Sequence, residues 1–164
     1  MSTAFPRALI VGASSGIGAT LALKLAGTGA KVAAVARRQA ELDALAAQSN
    51  GRVLPYAGDV LDYAATPALF DRIVDDLGGL DLFIYNAGVM PPVEESEYNF
   101  DKDRQMIEVN FLAAVQWSNL AAAHFEAARA GVLCGISSVA GERGRRGSPV
   151  YTASKAGLTA VSYT

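Results

Sequence analysis

The chain has 164 residues, 51% apolar and 18% charged, with 14 Lys and Arg against 16 Asp and Glu for a formal net charge of −2. That length suits one domain with its own core over residues 1–164, and the small acidic balance argues against disorder and against a surface built for DNA, RNA or anionic lipid. A single cysteine, Cys134, excludes an internal disulfide, and there is neither a signal-like N-terminus nor an apolar run near the ~18 residues of a membrane span, so a cytoplasmic location is expected.

Read for period and punctuation, the chain alternates strand and helix. Arg7 to Val11 is a short apolar run ending at Gly12, a buried strand that meets a glycine loop. Ile17, Leu21, Leu23 and Leu25 then form the apolar side of a helix closed by Gly27-Thr28-Gly29. Lys31–Ala36 is a second strand, and Glu41, Leu42, Leu45 and Ala46 a short helix ended by Asn50-Gly51. After a third strand, Arg52–Tyr56, Thr66-Pro67 reads as an N-cap followed by proline at the first helical position, with Leu69, Phe70, Ile73, Val74 and Leu77 as the stripe. Leu80–Tyr85 is a fourth strand. A long helical stretch, roughly 101–130 and divisible into two segments, precedes a fifth strand, Val132–Ser137. Strands alternating with helices mean right-handed crossovers and an α/β fold: a doubly wound parallel sheet of the Rossmann type, covered on both faces.

The first strand runs into Gly12-Ala13-Ser14-Ser15-Gly16-Ile17-Gly18, and a helix follows at once. Such glycines permit a tight turn and let the backbone approach a ligand, while the helix N-terminus offers free N–H groups to a pyrophosphate. Gly12, Ser14, Ser15, Gly16, Ile17 and Gly18 are therefore the expected cofactor-binding loop, although the spacing is G-x-x-x-G-x-G rather than G-x-G-x-x-G. The competing reading is that the glycines serve helix–strand packing alone. About 20 residues on, where an NAD site places a carboxylate for the ribose 2′-hydroxyl, stand Arg37 and Arg38. Guanidinium groups at that point can clamp a 2′-phosphate, so NADP(H) is favoured over NAD(H). Alternatively, the two arginines merely begin a solvated helix face.

Tyr151 and Lys155 are four residues apart, on one face if the segment is helical. A phenol with its ordinary pKa near 10 is a poor base at neutral pH, and a neighbouring ammonium favours its anion. Thirteen residues before Tyr151, Ser138 follows the fifth strand, and parallel-sheet folds place ligands at such strand ends.

In order and spacing, Gly12-x-x-x-Gly16-Ile17-Gly18, Asp59-Val60, Asn86-Ala87-Gly88, Asn110, Ser138 and Tyr151-x-x-x-Lys155 resemble the short-chain dehydrogenase/reductase family over essentially the whole chain. The resemblance implies that Tyr151 exchanges a proton with the substrate oxygen and that Ser138 hydrogen-bonds it, with Ser137 as the alternative. It further implies that Lys155 holds the nicotinamide ribose and favours the Tyr151 phenolate, and that Asn110 holds a relay water. Asp59 and Val60 would meet the adenine, and Asn86, Ala87 and Gly88 would line the ribose side. Tyr151 and Lys155 thus count both as catalytic and as cofactor-contacting. The implied reaction is hydride transfer between NADP(H) and a small secondary alcohol or carbonyl, with no metal, nucleic acid or membrane partner.

Singly, each landmark has a plainer reading: Asp59 as a turn cap, Asn110 as a helix-surface amide, Asn86 as a partner for loop backbone. His124 reads as a helix-face residue, Cys134 as a small buried hydrophobe, and Arg143, Arg145 and Arg146 as a solvated loop that could otherwise contact an anionic substrate. The chain departs from the family in having Val11 where many members carry threonine, and in stopping at Thr164, nine residues past Lys155. It is therefore read as C-terminally truncated, with the last strand or strands missing and the fifth strand at an open edge. Full-length relatives of this kind form homodimers or homotetramers through the long helix near Trp117 and the helix after Tyr151. A truncated, non-catalytic nucleotide-binding or interaction module is the second reading. A Rossmann-like methyltransferase ranks third, because it wants a carboxylate where Arg37 and Arg38 stand.

Overall fold

The structure is a computed structural model and describes residues 3–94, 97–144 and 147–162. Arg145 and Arg146 of the basic cluster lie outside the described residues. The elements run β1 (Arg7–Val11), α1 (Gly16–Gly27), β2 (Lys31–Ala36), α2 (Gln39–Ala47), β3 (Val53–Ala57), α3 (Thr66–Leu77), β4 (Leu82–Tyr85), α4 (Phe100–Ile107), a π-helical turn (Glu108–Leu112), α5 (Ala113–Ala128), β5 (Val132–Gly135), a 3₁₀ turn (Val139–Gly141) and α6 (Pro149–Ser162). The five strands are parallel in the order β3-β2-β1-β4-β5. The connection reverses direction between β1 and β4, which opens a crevice at their C-terminal ends.

Because successive strand residues point to opposite faces, the apolar strands build two cores. Leu9, Val11, Ala33, Val35, Phe83 and Tyr85 face α3 and α5, meeting Phe70, Ile73, Leu77 and Trp117. Ala8, Ile10, Val32, Ala34, Leu82 and Ile84 face α1 and α2, meeting Ala22, Ala26, Leu42 and Leu45.

Two local expectations are corrected. The face of α1 turned to the sheet is Gly18, Ala22 and Ala26, whereas Ile17 is 61% exposed and Leu21, Leu23 and Leu25 are only half-buried. Small residues let the helix sit close to the strands, so here apolar size and burial part company. Thr66 is not the N-cap of α3. The cap is Ala65, whose N–H donates to Asp62 Oδ1, while the buried Thr66 hydroxyl donates back to the Asp62 carbonyl. Trp117 is internal and packs edge-on against Phe70 at 6.4 Å, while Leu112 on the same stretch is exposed.

The N-terminal ends of β1 and β4 are tied by Arg7 and Asp81. Arg7 Nε donates to Oδ2 at 2.9 Å and Nη2 to Oδ1 at 2.7 Å, while the Arg7 backbone N–H also donates to Oδ2. These bonds hold the Asp81 carboxyl below its ordinary pKa of 3.8. A carboxylate stabilised in this way supports the fold above its unfolded-state pKa and loses that support as pH falls through its folded value. Asp81→Asn is therefore expected to lower stability at neutral pH and to flatten the acid limb of the stability curve below about pH 4. Urea midpoints measured from pH 6 to pH 2.5 check this; parallel curves for the two proteins would contradict it.

Candidate active site

The glycine loop between β1 and α1 is pinned to β2, since the Val35 carbonyl accepts from both Gly12 N (2.8 Å) and Ala13 N (3.1 Å). Gly12 has φ +90°, and a Cβ there would lie 2.5 Å from the backbone nitrogen of Ala87. At Gly18 a Cβ would lie 2.2 Å from the Gly12 carbonyl oxygen and 2.7 Å from Asn86 Nδ2. That amide donates to the same carbonyl at 2.7 Å, so Asn86 locks the loop after β4 onto the glycine loop. The N-cap Ser15 makes no side-chain cap bond, and the first-turn N–H groups of α1 are left for a ligand.

These residues open onto a crevice of about 500 Å³. It is lined by Gly12, Ser14, Ser15, Ile17, Arg37, Arg38, Asp59, Val60, Asn86, Ala87 and Gly88, together with Ala36, Gly58, Val89 and Val109. Most of the expected cofactor residues thus meet in one place, with Gly16 and Gly18 in the adjoining turn. At the outer end, Arg38 Nη2 donates to Ser14 Oγ and Ser15 Oγ, both at 2.9 Å. Each serine oxygen accepts there, which frees its own proton to donate elsewhere. Arg38 is the N-cap of α2, and Asp59 both lines the crevice and caps a turn, its Oδ1 accepting from Leu61 N.

The opposite end leads to α6. A Cβ on Gly88 would lie 3.4 Å from Lys155 Nζ and 3.5 Å from Asn110 Oδ1, so the crevice wall runs straight into the second cluster. Lys155 is 5% exposed, donates to the Ile136 carbonyl at 2.8 Å, and has its pKa pushed down by burial. Tyr151 stands one turn before it on α6, and no described residue hydrogen-bonds its hydroxyl. The two serines divide their work. Ser137 Oγ bonds the Lys155 carbonyl (3.1 Å) and Thr159 Oγ1 (2.6 Å), fastening α6 to the end of β5. Ser138 Oγ accepts from Ala140 N at 3.1 Å and so keeps its hydrogen for another acceptor.

Asn110 is fully buried in the π turn. Its Oδ1 accepts from Val89 N at 2.7 Å, and its Nδ2 donates to the Val89 carbonyl at 2.9 Å and to Ser154 Oγ at 3.2 Å. Both amide hydrogens are committed, and the residue joins the loop after β4 to α6. Ser154 in turn donates to the Tyr151 carbonyl. Ser154, Val89 and Val109 were not anticipated from sequence; the position of Ser154 beside Lys155 was the one available signal. Tyr85 also belongs to this frame, donating to the Val109 carbonyl at 2.6 Å from within the core, where burial raises its pKa. His124 lies apart, between the rings of Phe70 and Phe125. Among the described residues no cluster of His, Cys, Asp or Glu could hold a metal ion, and no helix is long and apolar enough to cross a membrane.

The sequence profile of the short chain dehydrogenase family matches residues 6–164. The chain belongs to the short-chain dehydrogenase family. It is 36% identical over 155 residues to an uncharacterized oxidoreductase of Myxococcus xanthus, covering 93% of this chain and 61% of that protein. Identity is 33% to cis-4-hydroxycyclohexanecarboxylate dehydrogenase of Sinomonas cyclohexanicum (92% and 62% covered) and 34% to L-xylulose reductase of Bos taurus (95% and 62%). Among solved structures, a short-chain dehydrogenase from Streptomyces avermitilis superposes with a TM-score of 0.91 at 26% identity, over 99% of this chain and 60% of that one. ElxO, solved with NADP bound, shares the fold with a TM-score of 0.88 at 24% identity, over 96% and 65%. This short-chain dehydrogenase chain spans a little over three fifths of the length of the curated relatives it matches.

Proposed function

We propose that the protein is an NADP(H)-dependent oxidoreductase acting on a small secondary alcohol or carbonyl compound. The observation that carries this reading is the convergence of Arg38, Ser14 and Ser15 at one end of a crevice whose other end opens on Lys155 of the Tyr151–Lys155 helix. The cradle fits a dinucleotide. Gly12 and Gly18 sit where any side chain would collide with Ala87 or with the Gly12 carbonyl and the Asn86 amide, so glycine at both keeps the loop close-packed, and free N–H groups at the start of α1 face a pyrophosphate position. Arg37 and Arg38, with no carboxylate at the end of β2, suit a 2′-phosphate better than a 2′-hydroxyl. Asp59 and Val60 take the adenine side, and Asn86, Ala87 and Gly88 the ribose side.

Bound there, the nicotinamide supplies or accepts the hydride. Tyr151 passes a proton to or from the substrate oxygen, and Ser138 donates a hydrogen bond to that oxygen as charge develops. Lys155, exchanging its bond to Ile136, holds the ribose hydroxyls and lends its positive charge to Tyr151. With both hydrogens of the Asn110 side chain engaged, a relay water at this residue would donate to one of its oxygens rather than accept from its side chain. The relatives named as a dehydrogenase and a reductase support the same reaction class, and a homodimer or homotetramer in the cytoplasm belongs to the same proposal.

Fluorescence titration of the full-length protein tests the cofactor. NADPH is expected to bind at least tenfold more tightly than NADH, and Arg38→Ala to remove most of that preference. Equal affinities in the wild-type protein would overturn the NADP(H) assignment. Transfer of deuterium from C4-labelled NADPH to a carbonyl panel tests the reaction.

A further inference from the structure

The arginine that closes the outer end of the crevice is already occupied. Arg38 Nη1 lies 3.4 Å from Glu41 Oε1, while Nη2 reaches the two serine hydroxyls. Glu41 is the acidic residue in the first turn of α2, directly after the Arg38 N-cap. There it faces both the guanidinium and the positive end of the helix, the two sources of field that would hold a phosphate at this point. Arg37, the other cation lining the crevice, makes no ion pair with a described residue. Glu41 therefore cancels charge selectively at one of two arginines. The pair is exposed, 53% and 43% at the side chains, so solvent screens it without abolishing it.

We infer that Glu41 is a specificity-determining residue, whose carboxylate competes with a phosphomonoester for Arg38 and narrows the preference for NADPH over NADH. This rests on the NADP(H) reading above. A phosphate monoester arriving at Ser14, Ser15 and Arg38 must share the guanidinium with Glu41 or displace it, and it carries its own negative charge toward that carboxylate. A cofactor with a plain 2′-hydroxyl meets neither cost. Removing the Glu41 charge helps one cofactor and leaves the other alone.

The experiment is a titration of the full-length protein with NADPH and with NADH, comparing wild type, Glu41→Gln, Glu41→Asp and Arg38→Ala in low salt and in 0.5 M salt (roughly a fourfold-shortened range for exposed charges relative to ~0.03 M). Glu41→Gln is expected to tighten NADPH roughly three- to tenfold at low salt, with NADH within twofold of wild type and the gain shrinking at high salt. Glu41→Asp keeps the charge and is expected to stay close to wild type. A Glu41→Gln protein whose NADPH-to-NADH ratio stays within twofold of wild type overturns the inference, as does an equal gain for both cofactors. If that happens while wild type prefers NADPH and Arg38→Ala removes the preference, the NADP(H) reading stands alone. If wild type shows no preference and Arg38→Ala changes nothing, the phosphate site is refuted and the inference falls with it.

Discussion

Replacing Tyr151 with phenylalanine in the full-length protein is expected to lower turnover by about 100- to 10,000-fold, the range for losing a positioned acid–base group. The fold and the cofactor affinity are expected to change little. No described residue hydrogen-bonds the Tyr151 hydroxyl, so its removal leaves no internal partner stranded, and the ring keeps its place on α6. The contrast with Lys155 is instructive. That ammonium is buried and hydrogen-bonded to Ile136, so truncating it disturbs the end of β5 as well as the chemistry. Single-turnover oxidation of NADPH with a carbonyl substrate, beside an NADPH titration of the same preparation, separates the two effects. A Tyr151→Phe protein that turns over within tenfold of wild type would remove Tyr151 from the proton step.

The second large effect is expected at Gly18. By intrinsic preference alone, Gly→Ala inside a helix stabilises by about 1 kcal/mol. Here the new methyl would stand 2.2 Å from a backbone carbonyl oxygen and 2.7 Å from the Asn86 amide that bonds the same oxygen. Forcing a group into a packed site costs about 1–3 kcal/mol, and displacing the part-buried Asn86 hydrogen bond adds about 1 kcal/mol more. Crowding wins, and Gly18→Ala is expected to destabilise the protein by on the order of 2 kcal/mol while weakening NADPH binding tenfold or more. Gly16 is the comparison. It has φ +58° with open space around it, so alanine there meets only the left-handed backbone cost of about 1 kcal/mol. Urea unfolding and NADPH titration of both variants check the ordering, which would be refuted by equal losses.

The strand–helix alternation and the glycine loop were legible because they rest on backbone needs that few residues meet. A positive φ at Gly12 and zero clearance at Gly18 leave a trace at each position. The burial of α1 was misread for the opposite reason: Gly18, Ala22 and Ala26 carry little hydrophobic signal, yet they govern how closely the helix docks. Thr66 looked like a cap because cap preference is a local average, and Asp62, three residues before the Ala65 cap, supplied the carboxylate that bonds it. In the site, residue types and spacing pointed to Tyr151, Lys155 and a serine after the fifth strand, and the family resemblance to Ser138, but no spacing rule reports which hydroxyl is spent. That Ser137 is tied to Lys155 and Thr159, while Ser138 keeps a proton to give, is a fact of three dimensions. The bond from Asn110 to Ser154 spans 44 positions and was equally invisible.

The π turn at Glu108–Leu112 works as a phase shifter between two cylinders. Each helical residue advances the face by about 100°, so one extra residue per turn rotates everything after it relative to everything before. Upstream, Met106 is aimed into the core; downstream, Trp117 is aimed at Phe70; between them, the amide of Asn110 is aimed at Val89 and Ser154. Deleting a single residue in 108–112 would give a smoother helix and a chain that cannot satisfy all three bearings at once. In this stretch the number of residues is itself a functional coordinate, less tolerant of a one-residue deletion than of many substitutions.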